Sequence, residues 1–296
     1  MIVITLITIE DGVFFWFIFI VIGMDKFMKK NKVCAPHKNN NGKTCFSRES
    51  LLKIGKTVGV IDKMKTKIRT QKLWDDIRKK LAHKCNDDET CWVDKVDAVK
   101  KIKDPNIHLF TFKPKRPDEW KKDKNTWLDT NNIFHVMVQA EKVYNDFVFF
   151  GPVPSDCPTS IKCELSGLCP KKLKKEGVNK VGIVFNLDVS TGPGTHWVAV
   201  FIDVKRGEID YFDSYGGHPI PLINKFIQEM AQKFVNYGRE PVLIYNDKRH
   251  QYGSSECGMY SMYFVLKRLT GCEMYKIARE NITDKRMNDL RLVFYR

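Results

Sequence analysis

Cys257 stands where a thiol can act as a nucleophile. It follows the loop Gln251-Tyr-Gly-Ser-Ser-Glu256 and opens the apolar segment Gly258-Met-Tyr-Ser-Met-Tyr-Phe, which reads as a helix. The thiolate is the attacking form, and a helix N-terminus and a neighbouring imidazole both favour it. Gly258 lets backbone come close behind the sulfur. A reaction that passes through a thioester also needs donors aimed at the oxyanion. The backbone N–H of Cys257 is one such donor, and the side-chain amide of Gln251 is a second.

His196 offers the imidazole. It begins the segment HWVAVFID, and Asp213 ends the segment EIDYFD, with Lys205-Arg206-Gly207 as the turn between them. A tight hairpin of two strands sets those two ends near each other. A carboxylate placed there holds the imidazole's tautomer and stabilises the imidazolium. The chain order of the set is therefore His196, Asp213, Gln251, Cys257. Asp188 and Asp203 are also near His196 in sequence, but neither ends the strand paired with the histidine strand. They read as turn or surface residues.

The surrounding pattern supplies elements to carry these residues. Apolar residues Ile133, Val136, Met137, Ala140 and Tyr144 recur at helical spacing, so a helix is expected from about Asn131. A strand is expected over residues 181–187, a helix over 221–237, a short strand over 242–245 and a helix over 257–269. Residues 149–170 hold four prolines and three cysteines and read as a loop. Further upstream, residues 48–54 and 72–84 read as helices, the second with Leu73, Trp74, Ile77 and Leu81 on one face. Residues 113–124, with Pro114 and Pro117 among charges, read as a linker or a surface crossing.

Composition limits the alternatives. Apolar residues make up 43% and charged residues 29%, as in a globular protein with a sizeable core. The net charge of +15 is unevenly spread: residues 24–125 carry +14 and residues 126–296 only +3. The expected organisation is an apolar extension at 1–23, a basic helical module at 24–125 and the catalytic part at 126–296. The extension is too short in its uninterrupted run for a confident membrane span. It reads as an upstream extension before Met24, a tether or an extra core strand. The basic module can attract polyanions such as nucleic acid.

Nine cysteines, an odd number on a long chain, argue against a secreted disulfide framework and for thiols in a reducing setting. Cys34, His37, Cys45, Cys85 and Cys91, and the series Cys157, Cys163 and Cys169, invite a zinc reading. None forms the close pairs that structural zinc sites generally use, so neither metal nor other cofactor is expected.

Thr195-His196-Trp197-Val198, Tyr211-Phe212-Asp213-Ser214 and Gln251 with five residues before Cys257-Gly258 resemble the signature of the adenain and Ulp/SUMO-protease superfamily. Trp127-Leu128-Asp129 is similar to the opening of the Ulp-type domain. The match covers about residues 127–269. The resemblance implies an α+β fold: a papain-like, adenain-like core with a central sheet and the nucleophile at a helix N-terminus. It implies hydrolysis of peptide or isopeptide bonds after small residues, with Trp127 and Trp197 flanking a narrow channel that excludes bulky side chains. Phe149-Phe-Gly-Pro-Val-Pro-Ser155-Asp156 and the preceding module, with Cys45-Phe-Ser and Cys91-Trp92, resemble virion-maturation proteases of large cytoplasmic DNA viruses. That likeness implies Gly-Gly-X cleavage in capsid or core precursors, in the host cytoplasm and the virion. Two alternatives stand beside it. One is an isopeptidase for ubiquitin-like proteins, or an acyltransferase, on the same fold. The other is a nucleic-acid-binding protein whose protease-like part is a passive anchor.

Overall fold

The computed structural model describes Phe27 and residues 33–38, 44–62, 68–123 and 125–296. The basic stretch with Lys63, Lys65 and Lys67, and the apolar extension at 1–23, lie outside the described residues. No described helix is long and apolar enough to cross a membrane.

A five-stranded mixed sheet organises the larger part. Its strands are β1 (Phe147–Pro154), β2 (Lys180–Asn186), β3 (Trp197–Asp203), β4 (Glu208–Phe212) and β5 (Val242–Tyr245), in spatial order 1-2-3-4-5. β2, β3 and β4 are antiparallel neighbours, while β1 and β5 run parallel to β2 and β4 at the two edges. The central strands are largely apolar because both faces are covered, with Asp210 of β4 a buried exception. Alternate side chains separate the faces. Ala199 and Phe201 of β3 join a core with Tyr260 and Phe264. Val198, Val200 and Ile202 join a second core with Ile223, Phe226 and Met230.

The upstream helices are α1 (Arg48–Thr57), α2 (Thr70–Cys85), α3 (Glu89–Lys95), α4 (Asp97–Lys100) and α5 (Pro105–His108). Then come α6 (Thr130–Glu141), α7 (Pro170–Lys175), α8 (Pro221–Asn236), α9 (Cys257–Leu269), α10 (Met274–Arg279) and α11 (Asp284–Phe294). α9 and α8 cover opposite faces of the sheet. α6 starts at a reciprocal cap: the Asp129 side chain accepts from the Asn132 N–H, and the Asn132 side chain accepts from the Asp129 N–H. Described residues between 34 and 112 build a separate apolar core around Leu51, Leu73, Ile77 and Trp92.

Three expectations are corrected. The segment expected as a loop from 149 begins within β1. Pro152 and Pro154 are tolerated there because β1 is an edge strand, and its register shifts between Phe150 and Val153. Of the segment expected at 113–124 as a linker or surface crossing, residues 113–123 are docked. Lys113 is buried and its Nζ donates to the Val293 carbonyl at 2.7 Å, while Trp120 packs edge-on against Tyr295. The prolines and charges there mask one large apolar side chain whose burial fixes the segment.

The third correction concerns sulfur. Cys34–Cys45, Cys85–Cys91 and Cys157–Cys163 are disulfides, with Cα separations of 5.3, 5.4 and 5.5 Å. Cys169, Cys257 and Cys272 are free. The reading of all nine as thiols in a reducing setting therefore fails for six. Local turns fold each pair to bonding distance over 6 or 11 residues, a proximity that an odd total conceals.

Candidate active site

β3 and β4 are joined by a short turn, so His196, just before β3, lies beside Asp213, just after β4. His196 Nε2 is 2.7 Å from Asp213 Oδ1. Both side chains are buried. The His196 ring also meets the Cys257 side chain at the start of α9. Because Nε2 is engaged with the carboxylate, Nδ1 is the nitrogen left for the sulfur. Burial alone would lower the imidazole's pKa. Hydrogen bonds to Asp213 and Cys257, and the negative charge of both, outweigh it and push the value up to about 9. The site thus favours imidazolium beside an anionic partner.

Cys257 is only 1% exposed. Gly258 explains how α9 brings its first turn so near the opening of α6. A Cβ there would stand 3.1 Å from Leu128 Cβ and 3.2 Å from Ile133 Cδ1. The close approach of backbone expected at Gly258 is therefore against Leu128.

Gln251 is fully buried. Its Oε1 accepts from Ser214 Oγ at 2.7 Å and its Nε2 donates to the Gly253 carbonyl at 3.1 Å, leaving the second amide hydrogen for another acceptor. The backbone N–H groups of His250 and Gln251 both donate to the Ser214 carbonyl. The residue after Asp213 thus fixes the loop that leads to Cys257.

Trp197 Nε1 donates to the Leu128 carbonyl at 2.9 Å, and its ring is buried. Trp127 is 46% exposed. The two lie on one groove of about 480 Å³, walled also by Pro152, Pro193 and Gly194. Asp188, which also faces this groove, accepts from the Gly194 and Val189 N–H groups and so shapes the loop before His196. Asp203 caps the turn after β3 by accepting from the Arg206 N–H.

Three residues missed in the sequence complete the surroundings. Tyr215 stacks on His196 with ring centroids 4.6 Å apart and planes 11° from parallel. Its N–H donates to Asp213 Oδ1 at 2.9 Å. Arg249 lies over Tyr215 on one side and Tyr252 on the other, at 5.1 and 5.0 Å from the ring centroids. Asn246 binds the Asp213 backbone. A tyrosine directly after Asp-Ser is the one signal that pointed to any of this.

The C-terminal catalytic domain of the Ulp1 protease family matches residues 175–295. A protein of Acanthamoeba polyphaga mimivirus, provisionally described as a thiol protease, is 30% identical over 288 residues, 89% of this chain and 93% of the relative. The chain belongs to the Ulp1 protease family. It is a cysteine protease, as that family is. A cysteine protease of African swine fever virus is 34% identical over 129 residues, 42% of this chain and 47% of that protein. Sequences from other isolates of that virus, 33% identical over 129 residues, are named SUMO-1 cysteine protease. The crystal structure of the African swine fever virus protease superposes with a TM-score of 0.61 at 22% identity, covering 89% of this chain and 95% of that one. That likeness shows a shared fold, including a helical region before the sheet.

Proposed function

We propose that Cys257 is the nucleophile, His196 the acid and base, Asp213 its orienting carboxylate and Gln251 an oxyanion donor. We further propose that the bond cut follows small residues in Gly-Gly-X sequences of a viral capsid or core precursor. The observation that carries the reading is His196, bonded to Asp213 through Nε2, facing the Cys257 sulfur at the start of α9.

In this reading the Cys257 thiolate attacks the scissile carbonyl carbon. The oxyanion that forms is met by the Cys257 N–H and the free Nε2–H of Gln251. His196 passes its Nδ1 proton to the leaving amine as the C–N bond breaks, giving a thioester. The neutral imidazole then takes a proton from water, whose oxygen attacks the thioester. Collapse releases the carboxylic acid and restores the thiolate and imidazolium. Trp127, Trp197 and the proline- and glycine-rich groove wall favour an extended, narrow peptide. A bulky side chain just before the scissile bond would meet rigid wall on both sides.

The test is a panel of Gly-Gly-X peptides together with a SUMO–lysine isopeptide conjugate, since some relatives carry that name. Products are read by mass spectrometry, with Cys257→Ala as control. Cleavage of Gly-Gly-X peptides by the wild type alone is expected. Cleavage confined to the conjugate would move the assignment to an isopeptidase. Full turnover by Cys257→Ala would remove Cys257 from the mechanism.

A further inference from the structure

The loop from Gln251 to Cys257 carries both proposed oxyanion donors and is held from both directions of the chain, by Ser214, Tyr215 and Arg249 before it and by side chains that follow it. Three side chains of α11 reach it. Asp284 Oδ2 accepts from the Tyr252 N–H at 2.9 Å and the Gly253 N–H at 2.7 Å. Asn288 Nδ2 donates to Glu256 Oε1 at 2.9 Å. Arg291 donates through one terminal nitrogen to the Ser255 carbonyl at 2.8 Å. Residues spaced four and three apart share one helix face, so the three form a polar stripe along α11. That stripe meets the loop at Tyr252, Gly253, Ser255 and Glu256.

Arg291 does more than hold the loop. Its other terminal nitrogen donates to the Thr126 carbonyl at 2.7 Å, directly before Trp127 on the groove. Its guanidinium lies 4.9 Å from the Trp120 ring centroid. The side chain is 2% exposed. Its Nε has no acceptor, and the two carbonyls, the ring and the nearby carboxylates of Glu256 and Asp123 compensate this buried cation. Losing either carbonyl would leave a buried N–H of the cation without a partner, which is unfavourable. The planar fork is suited to two divergent acceptors, which a lysine cannot span.

We propose that Asp284, Asn288 and Arg291 are positioning residues. They set the oxyanion loop, and Arg291 also fixes that loop's distance from the Trp127 wall of the groove. The argument rests on the catalytic roles assigned above to Gln251 and Cys257. None of the three side chains touches the reacting atoms. Their action is through the backbone of residues 252–256 and, for Arg291, residue 126.

Kinetics on a cleaved peptide separate the alternatives. Asp284→Ala and Asn288→Ala should lower kcat while KM stays within about threefold, because a misplaced donor acts at the transition state. Arg291→Ala should lower kcat and raise KM, since it loosens both loop and groove, with a combined loss of about 100-fold in kcat/KM. Methylguanidinium at millimolar concentration should restore part of the Arg291→Ala activity, and Arg291→Lys should restore little. Melting temperature and circular dichroism establish the folded fraction of each variant. Normal kcat in folded Asp284→Ala and Asn288→Ala would overturn the proposal. So would an Arg291→Ala loss that merely tracks the unfolded fraction and is unmoved by methylguanidinium. A dead Cys257→Ala beside normal stripe variants would sink the positioning role alone, whereas an active Cys257→Ala would sink the catalytic reading first.

Discussion

Asn246 grips the backbone of Asp213 from both sides. Its Oδ1 accepts the Asp213 N–H at 2.8 Å, and its Nδ2 donates to the Asp213 carbonyl at 2.7 Å. A third bond, from Nδ2 to the Lys248 carbonyl at 3.0 Å, ties this pair to the segment that leads into Gln251. Asn246 and Asp213 are both buried, so the geometry of the carboxylate is inherited from an amide that never meets the histidine.

Asn246→Ala should therefore lose both stability and rate. Two buried backbone groups left unpaired cost about 1–3 kcal/mol each, an upper range if water enters. Thermal melting should register that loss. In the fraction that stays folded, kcat should fall about tenfold or more as Asp213 drifts from His196. A folded variant with unchanged kcat would show that Asp213 is held adequately by the sheet alone.

If His196 is the acid and base as proposed, its raised pKa should give activity an alkaline limit. As pH climbs through about 9 the imidazolium loses its proton and the leaving amine loses its donor. Asp213→Asn removes one of the interactions that raise the value, so its alkaline limb should shift to lower pH. Stability has the matching sign. The folded value lies above the ordinary 6.5, so the contribution is fully present below about 6.5 and is lost as pH rises through about 9. The melting-temperature advantage of wild type over His196→Gln should shrink across that window. A constant difference would mean that His196 titrates equally in both states.

Gln251→Ala should reduce kcat more than it changes KM, because an oxyanion donor of the proposed kind meets charge only near the transition state. The loss of one such donor is about 100- to 1000-fold. Initial-rate kinetics decide it. An effect confined to KM would reassign Gln251 to ground-state substrate binding.

The disulfides predict a count. Denatured protein alkylated without reductant should take label at Cys169, Cys257 and Cys272 alone, and reduction should expose the other six. Peptide mapping by mass spectrometry reads this directly. Label on Cys34, Cys85 or Cys157 before reduction would break the corresponding pair.

The sequence showed best what is carried by periodicity. His196 and Asp213 flank β3 and β4, and those strands announce themselves by apolar runs with a glycine turn between them. Cys257 could be placed at a helix start because α9 is almost wholly apolar. β1 was hidden by its prolines, which only an edge position makes acceptable. α11 was hidden by its polarity: Asp284, Asn288 and Arg291 look like solvated surface until the fold turns them inward. Asn246 and Arg291 both act on backbone groups, and every residue has those, so no pattern of side chains pointed to them. The disulfides depend on local turns over 6 or 11 residues, and the spacing of the cysteines does not by itself show that those turns close.

Chain order gives the polar stripe of α11 a temporal meaning. A ribosome delivers His196, Asp213, Gln251 and Cys257 before it delivers Asp284, Asn288 and Arg291. A nascent chain halted after Cys257 would hold every reacting group, but its oxyanion loop would lack four of the hydrogen bonds that shape it. If the stripe positions the loop as proposed, hydrolysis should begin only once synthesis has passed α11.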